Sequence, residues 1–200
     1  TFVGKDSGVG VSGSSSGANN TAIGYQALDA FTTGGKNVAV GAQSLTTNTT
    51  GEENVAVGTN SSQLNTIGNK NIAIGYDALL FNSTGNNNVS IGYESMQGAS
   101  GQSQNDNTAI GMRSLYSVTT GFENVAIGLN ASRGNTTGYG NSVVGKDSLY
   151  SNQTGYFNTV VGRQALYDYT GNEAIAIGYR ALYENVTGTG NTAIGTQAMQ

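Results

Sequence analysis

In a chain of 200 residues with no His and no Cys, the groups left to do chemistry are 12 carboxylates, 8 Lys or Arg and 11 Tyr, besides hydroxyls. A Ser-His-Asp or Cys-His nucleophile pair, a zinc site of thiolates and imidazoles, an Fe–S cluster and a disulfide all drop out with those two residue types. Two carboxylate pairs are worth weighing for glycosidic hydrolysis, where one carboxyl protonates the leaving oxygen and the other attacks or activates water. They are Asp77 with Glu94 and Glu52 with Glu53. Neither comes with an insertion long enough to wall a cleft, so a polysaccharide-cleaving enzyme is a minor reading and no catalysis is expected. Asp77 and Glu94 hold equivalent places, but Arg113 follows in the next. That is a charge file rather than the regular Asp ladder calcium needs, and no metal or cofactor is expected.

The remaining composition is Gly 31, Pro 0 and 24 Asn, with only 10% charged residues, which would suggest disorder unless the residues recur in register. They do recur. Asn-x-Ala-Ile/Val-Gly strings place glycines at Gly4, Gly24, Gly41, Gly58, Gly75, Gly92, Gly111, Gly128, Gly145, Gly162, Gly178 and Gly195. Eight of the eleven spacings are 17 residues and the others 20, 19 and 16, so one structural unit is copied along an axis. A second glycine three residues before the Asn splits each unit into arms of seven and ten. Seventeen residues cannot hold a helix pair, and glycine this frequent breaks helices. The spacing predicts an all-β chain: a parallel β-solenoid, or β-roll, of about 12 coils forming a single array over residues 1–200, a piece of a longer fibre.

Alternation in the short arm sets Val38, Val55, Ile72, Val89 and Val125 on one face with Val40, Val57, Ile74, Ile91 and Ile127. Bulk points to this face as the buried one. The small residues between, such as Ala39, Ala56, Ala73 and Ala126, would then form a flat outer face suited to another chain. In the long arm Leu28, Leu45, Leu79, Met96, Leu115, Leu149, Leu166, Leu182 and Met199 complete the core. Ser62 and Ser132 replace that Leu in two weaker coils, with Leu64 and Leu129 expected to fill the gaps. Because Tyr25 to Ala30 and Tyr179 to Glu184 lack β-branched residues, this arm can hold a short helical turn. So thin a core offsets little of the cost of ordering 17 residues per coil, which predicts several chains sharing it, three being a natural closed number.

Asn opens the strand in ten units, at Asn20, Asn37, Asn54, Asn71, Asn88, Asn107, Asn124, Asn141, Asn158 and Asn191; Ala174 is the exception. Coils stacked about 4.8 Å apart would hydrogen-bond these amides in a buried structural ladder. Aromatic residues beside the strand glycine, Tyr25, Tyr76, Tyr93 and Tyr179, are the candidate receptor or glycan surface, against the alternative that they cover the Leu beneath. Sequons at Asn48, Asn82, Asn135, Asn152 and Asn185 recur at one site in the long arm and would form a file of sugars on a glycosylated chain. Thr before the second glycine, as at Thr33, Thr50 and Thr84, invites an ice-binding reading, but a second parallel Thr file is missing. A net charge of −4 with dispersed Lys and Arg argues against nucleic acid, and no apolar run reaches membrane-span length.

The strings Asn20 to Ala27 and Asn71 to Ala78 resemble the head repeats of YadA-like trimeric autotransporter adhesins. They look still more like the Asn-Thr-Ala-Ile-Gly-Tyr-x-Ala-Leu repeats of phage tail fibres. The resemblance covers nearly the whole chain, although adhesin units are typically about three residues shorter. It implies a left-handed β-roll that trimerises into a stiff head or shaft at a cell or virion surface, outside the cell. The expected function is a fibre segment, rigid spacer and multivalent surface whose partners are its own copies and a host glycan or receptor. A self-polymerising extracellular filament subunit is the alternative.

Overall fold

The computed structural model describes residues 1–11 and 15–199. Twelve strands are present among them: β1 (Phe2–Val3), β2 (Thr21–Ile23), β3 (Val38–Val40), β4 (Val55–Val57), β5 (Ile72–Ile74), β6 (Val89–Ile91), β7 (Thr108–Ile110), β8 (Val125–Ile127), β9 (Ser142–Val144), β10 (Thr159–Val161), β11 (Ile175–Ile177) and β12 (Thr192–Ile194). They form one parallel sheet in chain order. Strict register pairs Val38 with Val55 and Ile72, and Ala39 with Ala56 and Ala73. The fold is the all-β parallel solenoid that the 17-residue period implies. Of the three irregular spacings, the one ahead of Gly24 falls partly on residues 12–14, outside the described residues.

Each strand ends in a glycine that nothing else could replace. Gly41 has φ +131°, and a Cβ there would lie 2.5 Å from the carbonyl oxygen of Gly58 in the next coil. Backbone approach and positive φ both exclude a side chain.

The long arm is not helical, and no helix occurs among the described residues. Every second residue after the strand glycine turns left-handed, as at Gln26 (φ 51°) and Leu28 (φ 49°), or Arg180 (φ 55°) and Leu182 (φ 52°). A helix would require uniformly negative φ. The amides instead reach the neighbouring coil, Leu28 N–H to Ser44 O at 2.9 Å and Ala30 N–H to Thr46 O at 3.1 Å. Inter-coil pairing thus overrides the helical leaning of Ala and Leu.

The strand faces are the reverse of the expected assignment. Ala39, Ala56, Ala73, Ala109, Ala126 and Ala176 are completely buried inside their own coil, while the flanking Val and Ile point outward and are partly to openly exposed. The lumen is narrow, and the arm's Leu28, Leu45, Leu79, Leu115, Leu149, Leu166 and Leu182 fill it completely. Only a methyl fits opposite them. β9 and β10 invert the recipe, with Val143 and Val160 inside and Ser142 and Thr159 outside.

Leu64 and Leu129 stay at the half-buried surface and do not reach the lumen. Ser62 and Ser132 therefore stand buried with hydroxyl oxygens that have no partner. The apolar core is interrupted at the Ser61–Ser62 coil, with one cluster from Ala22 to Ala56 and another from Ala73 to Ala193.

Candidate functional site

The expected catalytic carboxylates have other work. Asp77 accepts from Asn60 Nδ2 at 3.0 Å and from Gln97 Nε2 at 3.3 Å, whereas Glu94 Oε2 accepts from Arg113 Nε at 2.6 Å. The Arg113 hydrogen bond holds the Glu94 carboxyl below its ordinary value, and the Lys36 ammonium, 2.9 Å away, does the same to Glu53. A general acid needs the opposite shift. Glu52 and Glu53 line an open groove of about 610 Å³ with Asn69, Lys70, Asn86 and Asn87. No cluster of three metal-ligating side chains occurs among the described residues.

The Asn ladder forms as expected along most of the stack. Asn54 donates from both N–H and Nδ2 to Asn37 Oδ1, at 3.0 and 3.2 Å, and from Nδ2 to Gly68 O at 2.8 Å. The same pattern runs from Asn20 through Asn158. Alternation explains it, because Asn37 and Ala39 share the inward parity of β3. The ladder ends at Ala174, whose N–H still reaches Asn158 Oδ1 at 3.0 Å but which offers no amide to the next coil. Asn191 is cut off from the column.

The sequons are not a surface file. Asn48, Asn82, Asn135 and Asn152 are fully buried, and Asn48 Nδ2 and Asn82 Nδ2 each donate to the glycine carbonyl three residues on, Gly51 and Gly85, at 3.0 Å. A glycan on these nitrogens has no room in the folded chain; Asn185 alone of the five is half-buried. They belong to a second inner file with Phe31, Asn65, Val118 and Tyr169, always three residues after the core Leu or its Ser replacement. That fixed offset, and the alternation of Asn with Val, Phe and Tyr, is the signal that identifies an inward position.

The four candidate tyrosines share a register without forming one surface. Tyr76 stacks on Tyr93, centroids 5.3 Å apart and 12° from parallel, but Tyr25 lies three coils before Tyr76 and Tyr179 five coils after Tyr93. Longer aromatic files lie elsewhere. Tyr150, Tyr167 and Tyr183 stack at 4.9 and 5.3 Å, with Arg133 over Tyr150 and Arg180 over Tyr183. Phe122, Tyr139 and Tyr156 stack at 5.0 and 5.1 Å, and Phe157 stands edge-to-face against the last two. A ring stacked on both sides spends its faces on its neighbours and shows solvent only its rim.

The outward Val and Ile columns make the largest continuous feature. The second column reads Ile23, Val40, Val57, Ile74, Ile91, Ile110, Ile127, Val144, Val161, Ile177 and Ile194 without a polar break. At about 4.8 Å per coil it runs roughly 50 Å, and with the first column it makes a strip on the order of 500 Å², near the upper end for the largest apolar patch of a typical monomer.

No protein-family model, no curated protein and no solved structure matches the chain.

Proposed function

We propose that the chain is a structural fibre segment, a rigid spacer at a cell or virion surface whose copies associate side by side through the outward Val and Ile columns. The observation that carries this is the straight, unbroken apolar strip on a solenoid whose own lumen is filled by Ala and Leu. Exposed β-branched residues at this density have no role within a lone chain, and covering them removes the cost. A strip of roughly 500 Å² falls short of the ~800 Å² per partner of a standard interface. Three chains turned toward a common axis bury the strip together with its flanks, which favours a trimer over a flat pair. The carboxylates tied to Arg113 and Lys36 support a non-catalytic role.

Light scattering on the purified chain tests the reading. Three times the 20.4 kDa chain mass is expected. A stably folded monomer at tens of micromolar would refute it. A concentration-dependent ladder of larger species would favour the filament alternative instead.

A further inference from the structure

Phe157 stands out among the aromatics. It is 55% exposed, more than any other aromatic side chain described, and its backbone is left-handed (φ 54°), a rare setting for a bulky residue. The same place in neighbouring coils carries Asp106, Glu123, Gly140 and Glu173. A phenyl ring here exposes apolar area without filling any part of the lumen, so local stability does not account for it.

Its setting is organised. Gly140, one coil earlier, leaves the space that the ring occupies: a Cβ there would lie 2.6 Å from Phe157 Cδ1 and 2.7 Å from Cε1. Tyr139 and Tyr156 brace the ring nearly at right angles, at 5.2 Å and 80°, and 5.5 Å and 88°. Exposed carboxylates flank it along the stack, Glu173 one coil on and Glu123 two coils back. Just here the outward strand position changes from Val to hydroxyl, at Ser142 and Thr159, both exposed.

We propose that Phe157 is the platform of a binding site for a neutral pyranose residue of a glycan chain. The apolar face of such a sugar, with its electropositive axial C–H groups, suits the electron-rich ring face. Its rim of hydroxyls suits carboxylate acceptors and the Ser142 and Thr159 hydroxyls. Glu123 and Glu173 repel anionic sugars. The bracing tyrosines hold the ring before the ligand arrives, which lowers the ordering cost of binding. This site is a single local one, distinct from a repeated array of Tyr25, Tyr76, Tyr93 and Tyr179, and it does not depend on the fibre reading.

Saturation-transfer NMR on the full chain, with cellohexaose and maltohexaose as neutral probes and oligogalacturonate as the anionic one, tests the proposal. Transfer to at least one neutral probe and none to the anionic probe is expected. Phe157→Ser should weaken binding roughly 3- to 10-fold, the range of one aromatic contact, and Phe157→Tyr should retain it. Gly140→Ala should also weaken it by displacing the ring. Native mass and thermal midpoint of Phe157→Ser should match the parent. Absence of transfer to both neutral probes, or unchanged binding by Phe157→Ser, overturns the site. A changed native mass for Phe157→Ser also overturns it, by assigning the ring to the contact between chains.

Discussion

Replacing Asn124 by Ala removes four hydrogen bonds from the middle of the ladder. Its Oδ1 accepts from Asn141 N–H and Nδ2, both at 3.0 Å, and its Nδ2 donates to Asn107 Oδ1 at 3.1 Å and Gly138 O at 2.8 Å. Not all of these partners are orphaned. Asn141 Nδ2 keeps Gly155 O at 2.9 Å, and Asn107 Oδ1 keeps the Asn124 backbone N–H at 3.0 Å. The Asn141 N–H and the Gly138 carbonyl lose their partners in a buried corner. Two such groups at about 1–3 kcal/mol each put the cost at roughly 2–6 kcal/mol. A mid-range 4 kcal/mol corresponds to a fall of about 8–16 °C in midpoint for a chain of this size. Calorimetry should be run on Asn124→Ala beside Asn191→Ala, because Asn191 sits beyond the gap at Ala174 and carries no ladder bond to the coil before it. Asn191→Ala is expected within about 0.5 kcal/mol of the parent. Ala174→Asn should be neutral or stabilising, since its amide would offer Asn191 N–H the acceptor it lacks. Equal losses at Asn124 and Asn191, or none at Asn124, would refute the reasoning.

The two strand faces can be told apart by one pair of neighbours. Ala126→Arg, which forces a charge into the lumen, should abolish cooperative unfolding, whereas Ile127→Asp should leave the coils folded and reduce the native mass to that of one chain. Circular dichroism and light scattering on both variants check this. Ser132→Ala removes a buried hydroxyl without a partner and should raise the midpoint, by an amount equivalent to about 1 kcal/mol. Because Glu94 is held below its ordinary pKa by Arg113, its contribution to stability is present above the unfolded value of 4.5 and is lost as pH falls through the folded value. Thermal melts between pH 6 and pH 3 should therefore lose less stability in Glu94→Gln than in the parent.

The period and the strands were legible in the sequence because both depend on glycines whose places admit no side chain, such as Gly41. The ladder was legible for a related reason: an Asn repeated at a strand's opening has few uses besides bonding to its copies. The face was misread because size was taken as the sign of burial. Parity held the correction, since Asn37, Ala39 and the other inward Asn–Ala pairs are two residues apart, and a buried amide column requires the Ala beside it to be buried too. The sequons failed in the same way. Composition made Asn48 and Asn135 look like surface sites, while their fixed distance from the core Leu placed them inside. Phe157 was invisible because it breaks the repeat, and its meaning comes from Gly140 a coil away and the tyrosines beside it.

The reversed faces also change what assembly must accomplish. With Val and Ile inside, as expected from size, the coils would be self-sufficient and association through Ala would add only methyl contacts. With Ala inside, each coil hides one Leu and two small residues, and holds itself together mainly by inter-coil hydrogen bonds such as Val55 N–H to Asn71 O at 2.8 Å. Its larger apolar side chains remain in contact with water. The free energy still to be gained lies on the outside, and only a surface as straight and as regularly spaced as the strip itself can collect it along the whole length. A second copy in the same axial register satisfies that requirement. A globular partner would cover a few coils and leave the rest of the strip exposed.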